Sequence, residues 1–283
     1  MKINKNSLQA RLNNLARQNN VHTNVLLVSF FFDAFMCRLA RSVYCEKFVF
    51  KGGFYLSTLL GVQNRYTADI DFLLSRESLK VENLMRIFNE ILQVDVDDSI
   101  SFEIASVTPI RDEDAYGGFS ILLTGRLENI RQNFHVDVAT GDPITPGPVS
   151  YTYKCLLSDE KIKFRAYNLE TIIAEKMQTI LTRGALNSRS KDFYDIFIIQ
   201  KLQWLNIDEQ VLKEAFEKTC TYRETAIELD DANAMLEQIA NSAMMQTRWK
   251  NYARKTSFAE KISFEDVMVA CKRVLDKIYR QEK

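Results

Sequence analysis

Residues 51–72 read KGGFYLSTLLGVQNRYTADIDF. This stretch decides the fold because it passes from strand to helix and back to strand. The short apolar run KFVF at 47–50 reads as a strand and meets a double glycine, Gly52 and Gly53. Residues 54–61 then read as a short helix ended by Gly61. DIDFLL at 69–74 is a second strand. A strand, a double glycine and a helix N-terminus is a known way to hold phosphate, because glycine lets backbone N–H groups approach an anion and the helix dipole adds partial positive charge. The same glycines also serve as an ordinary tight connection.

Asp69 and Asp71 add chemistry to that frame. Residues i and i+2 of a strand point to one face, so both carboxylates converge while Ile70 and Phe72 point into the opposite core. Convergent carboxylates repel unless a cation lies between them. Mg²⁺ suits all-oxygen ligation and commonly bridges carboxylates to substrate phosphates. A third carboxylate follows in FHVDVAT at 134–140. There Asp137 alternates with Phe134, Val136 and Val138, and shares its face with His135. If this strand lies beside 69–74, three carboxylates form a cluster able to hold two Mg²⁺ ions, one for an attacking hydroxyl and one for a triphosphate. His22 and His135 are the only histidines. No Ser-His-Asp, Cys-His or H-E-x-x-H arrangement is present, and His135 reads as a bystander.

Working outward, residues 7–44 read as two helical segments broken near Asn19–His22. Their most apolar window, VLLVSFFFDAFM at 25–36, is too short to span a bilayer and is interrupted by Asp33, so it reads as a buried core helix. A helix is expected at 77–93, strands at 101–110, 118–127, 133–140 and 161–166, a turn at 112–118, and a loop at 141–148 that holds three of the four prolines. From Asn168, a plausible N-cap, the chain reads as helical over 168–183, 191–202, 207–220, 230–247 and 263–281. The expected class is α+β: an α/β domain with a mixed sheet over 1–167, and a helical domain over 168–283.

Hydrophobic residues make up 46% of the 283, enough for a packed core. Five scattered cysteines without a C-x-x-C pair read as reduced thiols of a cytoplasmic protein. The start lacks a signal peptide's apolar segment, and no membrane association is expected. The net charge is zero, yet residues 1–65 carry 9 Lys/Arg against 2 Asp/Glu, 66–160 carry 7 against 17, and 246–283 carry 10 against 5. Basic ends around an acidic middle frame a groove for a polyanion, or are ordinary solvated surface. Arg38 and Arg41 fall on one helical face of the first basic segment.

KGG, then RYTADIDF, a later strand Asp, AEKM and RSKDFYDI together resemble the AbiEii/AbiGii-type nucleotidyltransferase toxins, part of the DNA-polymerase-beta-like nucleotidyltransferase superfamily. The resemblance covers roughly residues 45–200. It implies Gly52 and Gly53 at the nucleotide phosphates, Asp69, Asp71 and Asp137 as metal carboxylates, and Arg65 and Thr67 as the Arg and Ser/Thr that precede the D-x-D. It implies Lys176 at the triphosphate, brought in as the helical half folds onto the sheet, and Asp192 supporting Lys176 or the base side of the pocket. The activity implied is Mg²⁺-dependent transfer of an NMP from an NTP to an acceptor hydroxyl. The acceptor that the resemblance implies is RNA, a tRNA 3′ end, and it implies a toxin with a cognate antitoxin. Transfer to a small molecule or protein is the alternative, and a non-catalytic member of the fold is another. Two features depart from the family's pattern. Phe54 stands where Ser or Thr usually follows the glycines, and the spacer to Asp69 is a couple of residues longer.

Overall fold

Period-2 alternation, with apolar residues on one face, builds the sheet at the centre of the first unit. A computed structural model describes residues 3–75, 77–110 and 117–280. These form two compact units, one of residues 1–141 and 149–166, the other of 142–148 and 167–283. The turn expected over 112–118 lies outside the described residues except for Gly117 and Gly118.

The first unit contains α1 (Lys5–Asn19), α2 (Thr23–Arg41), β1 (Phe48–Lys51), α3 (Gly52–Leu60), β2 (Asp69–Leu74), α4 (Val81–Leu92), β3 (Ser101–Ile110), β4 (Gly118–Leu127), β5 (Ile130–Ala139), β6 (Val149–Lys154) and β7 (Lys161–Ala166). The seven strands make one mixed sheet in the order β3-β4-β5-β2-β1-β7-β6. β2 runs parallel to β5, and β1 parallel to β7, while the other neighbours are antiparallel. β6 was not expected from sequence. It is an edge strand that buries only Tyr153, so its apolar alternation is weak.

An aromatic core fills the space between α2 and the sheet. Phe32 stands 4.6 Å from Phe54 and 5.1 Å from Phe134, centroid to centroid, and Phe35 stacks on Phe88 at 5.9 Å. By length and composition α2 is long and apolar enough to cross a membrane. Here Phe31, Phe32, Phe35, Met36 and Leu39 are fully buried in the first unit. Asp33 interrupts the apolar run because it closes a buried network. Tyr153 Oη donates to one carboxylate oxygen and Leu156 N–H to the other at 2.6 Å. Burial, opposed by these two donors, pushes its pKa up to about 7.

The expected basic face of α2 holds for Arg41 and fails for Arg38. Arg38 is 5% exposed. Its guanidinium makes a fork to Asp98 at 2.7 and 2.8 Å, donates to the Ile100 carbonyl at 2.7 Å, and lies over the Phe102 ring. A carboxylate sixty residues away draws it inward. Arg41 stays exposed and pairs with Glu160 at 3.0 Å.

The second unit holds α5 (Leu169–Arg183), α6 (Ser190–Gln203), α7 (Glu209–Tyr222), α8 (Leu229–Asn241), α9 (Ala243–Lys255) and α10 (Phe264–Ile278). Asn168 caps α5 by accepting from Thr171 N–H, as its side chain suggested. It also donates to the Thr145 carbonyl at 2.7 Å, and Thr145 N–H donates to Thr171 Oγ1 at 3.1 Å. These bonds hold the proline-rich loop 142–148 in the second unit. The single helix expected over 230–247 is two. Ser242 adopts an extended backbone and caps α9 through Met245 N–H. A serine inside an apolar pattern has stopped one helix and started the next. α9 lies largely beyond the expected helices.

Candidate functional site

The first rung of the site is set by register. Lys51 on β1 lies opposite Asp71 on β2, Asp71 opposite Asp137 on β5, and Asp137 opposite Ser120 on β4. Directly opposed residues share a face, so Lys, Asp, Asp and Ser form a row across four strands. The next rung, Phe50, Phe72, Val138 and Phe119, falls on the opposite, apolar face. Asp69, two residues before Asp71, shares the polar face and lies opposite His135. The spacing of DIDF and HVDV thus puts all three carboxylates and His135 on one side of the sheet, each half-buried or exposed.

Over this row α3 begins. Gly52 has φ +71°, a conformation that favours glycine. A Cβ there would fall 2.0 Å from Asp71 Oδ2, so only a glycine lets the backbone close on that carboxylate. Gly53 N–H donates to Asp71 Oδ2 at 3.1 Å. The carboxylate therefore sits at the positive end of the helix. Arg65 and Thr67 approach from the α3–β2 loop. A Cβ on Gly53 would meet Arg65 Nη2 at 2.8 Å and Thr67 Cβ at 3.2 Å. Arg65 is 4% exposed, and Thr67 Oγ1 donates to Asp69 Oδ1. Seven of the residues expected from sequence, Gly52, Gly53, Arg65, Thr67, Asp69, Asp71 and Asp137, thus lie in one neighbourhood.

The carboxylates are not a preformed cage. Among the described residues no three His, Cys, Asp or Glu side chains stand together so as to hold a metal ion. Asp69 accepts from Thr67 Oγ1, Asp71 from the Gly53 amide and Asp137 from Ser120 Oγ. The residues nonetheless fit a hard divalent cation. All the donors are oxygens, two carboxylates are cross-strand neighbours, and the backbone over Asp71 is cut back to a glycine that a Cβ would fill.

Phe54 does not stand in the site. Its ring is 3% exposed and packs on Phe32, Phe50 and Tyr153. A hydroxyl at this position would face aromatic core. Ser57 is buried, and Thr58 Oγ1 donates to the Tyr55 carbonyl and accepts from Tyr151 Oη. The Thr58 hydroxyl is thus turned to Tyr55 and Tyr151, and the amides at the helix start are the donors nearest the carboxylates.

Lys176 and Asp192 lie in the second unit and meet each other. Lys176 Nζ on α5 is 2.7 Å from Asp192 Oδ1 and 2.8 Å from Asp195 Oδ2, both on α6. Arg189 Nε donates to the other Asp192 oxygen at 2.8 Å. Burial alone would lower the Lys176 pKa, but the two carboxylates outweigh it and leave it raised. Burial alone would raise that of Asp192; Lys176 and then Arg189 outweigh it and hold it at about 2. Phe193 and Tyr194, next in the chain, are core residues.

Sequence reasoning missed two residues of the polar face, Lys51 and Ser120. Lys51 ends β1 beside the glycines, and no local signal marks its place in the row. Ser120 was one polar residue in a strand. Its Oγ is 2.6 Å from Asp137 Oδ1 and 2.9 Å from His135 Nδ1.

The description of the AbiEii nucleotidyl transferase toxin of type IV toxin–antitoxin systems matches residues 34–270. A solved structure of a candidate nucleotidyltransferase from H. pylori aligns with a TM-score of 0.53 at 14% identity, covering 93% of this chain and all of that one. The structure of JHP933 from Helicobacter pylori aligns with the same score and identity, covering 90% and 93%. At such identity these two speak for the fold alone. No curated protein matches the sequence.

Proposed function

From the premise that the chain belongs to the AbiEii nucleotidyl transferase toxin family of type IV toxin–antitoxin systems, we propose that it moves an NMP from an NTP to a hydroxyl of RNA, at the polar face of β2 and β5, with Mg²⁺. The observation that carries this reading is the register of Asp71 with Asp137 beneath the glycine start of α3. The acceptor hydroxyl gives up its proton to solvent, its oxygen bonds to the α-phosphorus as the bond from that phosphorus to the oxygen bridging to the β-phosphate breaks, and pyrophosphate leaves with that oxygen. Asp69, Asp71 and Asp137 are the residues that would hold Mg²⁺, whose chemistry there is neutralisation of phosphate charge and activation of the hydroxyl. The N–H groups at the start of α3 face the phosphates, and Arg65, beside Gly53, adds a fixed cation.

RNA is the acceptor this reading favours, a tRNA 3′ end in particular. Its support is the exposed cations Lys250, Arg254 and Lys255 of α9, with Lys261 beyond it. The family also implies a cognate antitoxin. The test is incubation with each α-labelled NTP, Mg²⁺, total RNA and total protein, with Asp71→Asn as control. Label on RNA from the wild type, lost at least 10²-fold in the variant, is expected. Label on protein or a small molecule replaces the acceptor. No label on anything overturns the enzymatic reading.

A further inference from the structure

We propose that Ser120 is a positioning residue for Asp137, held in turn by His135. The inference rests on the metal reading above and adds residues to it.

The hydrogen bonds assign themselves. A carboxylate only accepts, so the Ser120 hydroxyl gives its single hydrogen to Asp137 Oδ1, 2.6 Å away. That length is typical of a hydroxyl donating to an ionised carboxylate. The Ser120 oxygen then accepts from His135, which places a proton on Nδ1 at 2.9 Å. Nδ1 carries that proton in one neutral tautomer and in the charged ring alike, so the arrangement does not depend on the charge of His135. The chain His135–Ser120–Asp137 lies across two paired strands, since Ser120 is the register partner of Asp137 and His135 shares its face two residues earlier.

The placement points to orientation and not to stability. Ser120 is half-buried and His135 is exposed. Hydrogen bonds on a wet face add little to folding, because water replaces them. What water cannot do is fix one rotamer of Asp137. Ser120 takes one oxygen of Asp137 from the side away from Asp71, just as Gly53 N–H takes one oxygen of Asp71 from above. Such outer partners set the direction of carboxylate lone pairs, and their loss typically lowers metal affinity 10- to 100-fold.

The experiment is titration of the full chain, without nucleotide, with Mn²⁺ followed by electron paramagnetic resonance, beside a thermal midpoint taken without metal. Ser120→Ala and Ser120→Cys should bind Mn²⁺ about 10-fold or more weakly than wild type, with unchanged midpoints. Ser120→Thr, which keeps the hydroxyl, should restore affinity, and His135→Ala should cost less than Ser120→Ala. Wild-type affinity in both Ser120→Ala and Ser120→Cys overturns the inference and leaves the metal reading standing. Wild-type protein that binds no Mn²⁺, or Asp137→Asn that binds it undiminished, overturns both.

Discussion

Gly52→Ala should be far more damaging than Gly53→Ala, one residue on. Two costs add at Gly52. An alanine at φ +71° pays for a left-handed backbone, about 1–2 kcal/mol. Its Cβ would also lie 2.0 Å from Asp71 Oδ2 and 2.6 Å from Asp71 Cβ. Rotating the carboxylate is not enough, so Asp71 or the helix start must move. The Gly53 N–H bond to Asp71 then breaks, at about 1.5–3 kcal/mol for a bond to a charged group. The sum is about 2.5–5 kcal/mol, or roughly 10 °C in thermal midpoint. At Gly53 no positive φ is involved, and a Cβ would meet the end of the Arg65 side chain at 2.8 Å and Thr67 at 3.2 Å, contacts looser than those at Gly52 though they still require Arg65 to shift. That variant should lose about 1–2 kcal/mol, since the crowding at Arg65 is offset in part by the better helix propensity of Ala. Urea unfolding of the first unit, followed by tryptophan-independent far-UV circular dichroism, gives the stability. Mn²⁺ titration of each variant reports whether Asp71 has moved. A Gly52→Ala midpoint equal to wild type, or a Gly53→Ala loss just as large, would refute the assigned geometry.

Three further outcomes are expected. Asp33 keeps its proton up to about pH 7 in the folded state against a value of 3.8 when unfolded. The native state then binds the extra proton between these values, so Asp33 lowers stability as pH rises from about 4 to 7; thermal midpoints of Asp33→Asn should fall less than wild type over that window, and equal slopes would count against it. Lys176→Met leaves Asp192 and Asp195 buried without their shared cation, so the second unit should lose about 3–5 kcal/mol in chemical unfolding, and adding Asp195→Asn should recover part of it. Arg38→Met strands Asp98 in the same way and should cost about 3 kcal/mol, while salt-dependent RNA binding by the folded protein should respond to Arg41→Glu and not to Arg38→Met; the reverse order in a filter-binding assay would restore the basic face of α2.

What the sequence determined by itself was local. The pleat alone puts Asp69 and Asp71 on one face and Ile70 and Phe72 on the other. Asn168 caps α5 through an amide three residues away, and the two glycines stand at the strand-to-helix junction, all within reach of a short window. The tertiary structure decided everything that depends on which distant segments meet. Register across β1, β2, β5 and β4 is what sets Lys51, Asp71, Asp137 and Ser120 in one row, and no spacing along the chain encodes it. Arg38 and Arg41 look alike at helical spacing; only Asp98, sixty residues on, makes one of them core. The resemblance links Asp192 to Lys176, but only the fold shows Asp195 closing on the same amine. Side-chain charge is visible in a sequence, but its partner is a property of the fold, because the attraction acts through space and the chain that brings the two together is long.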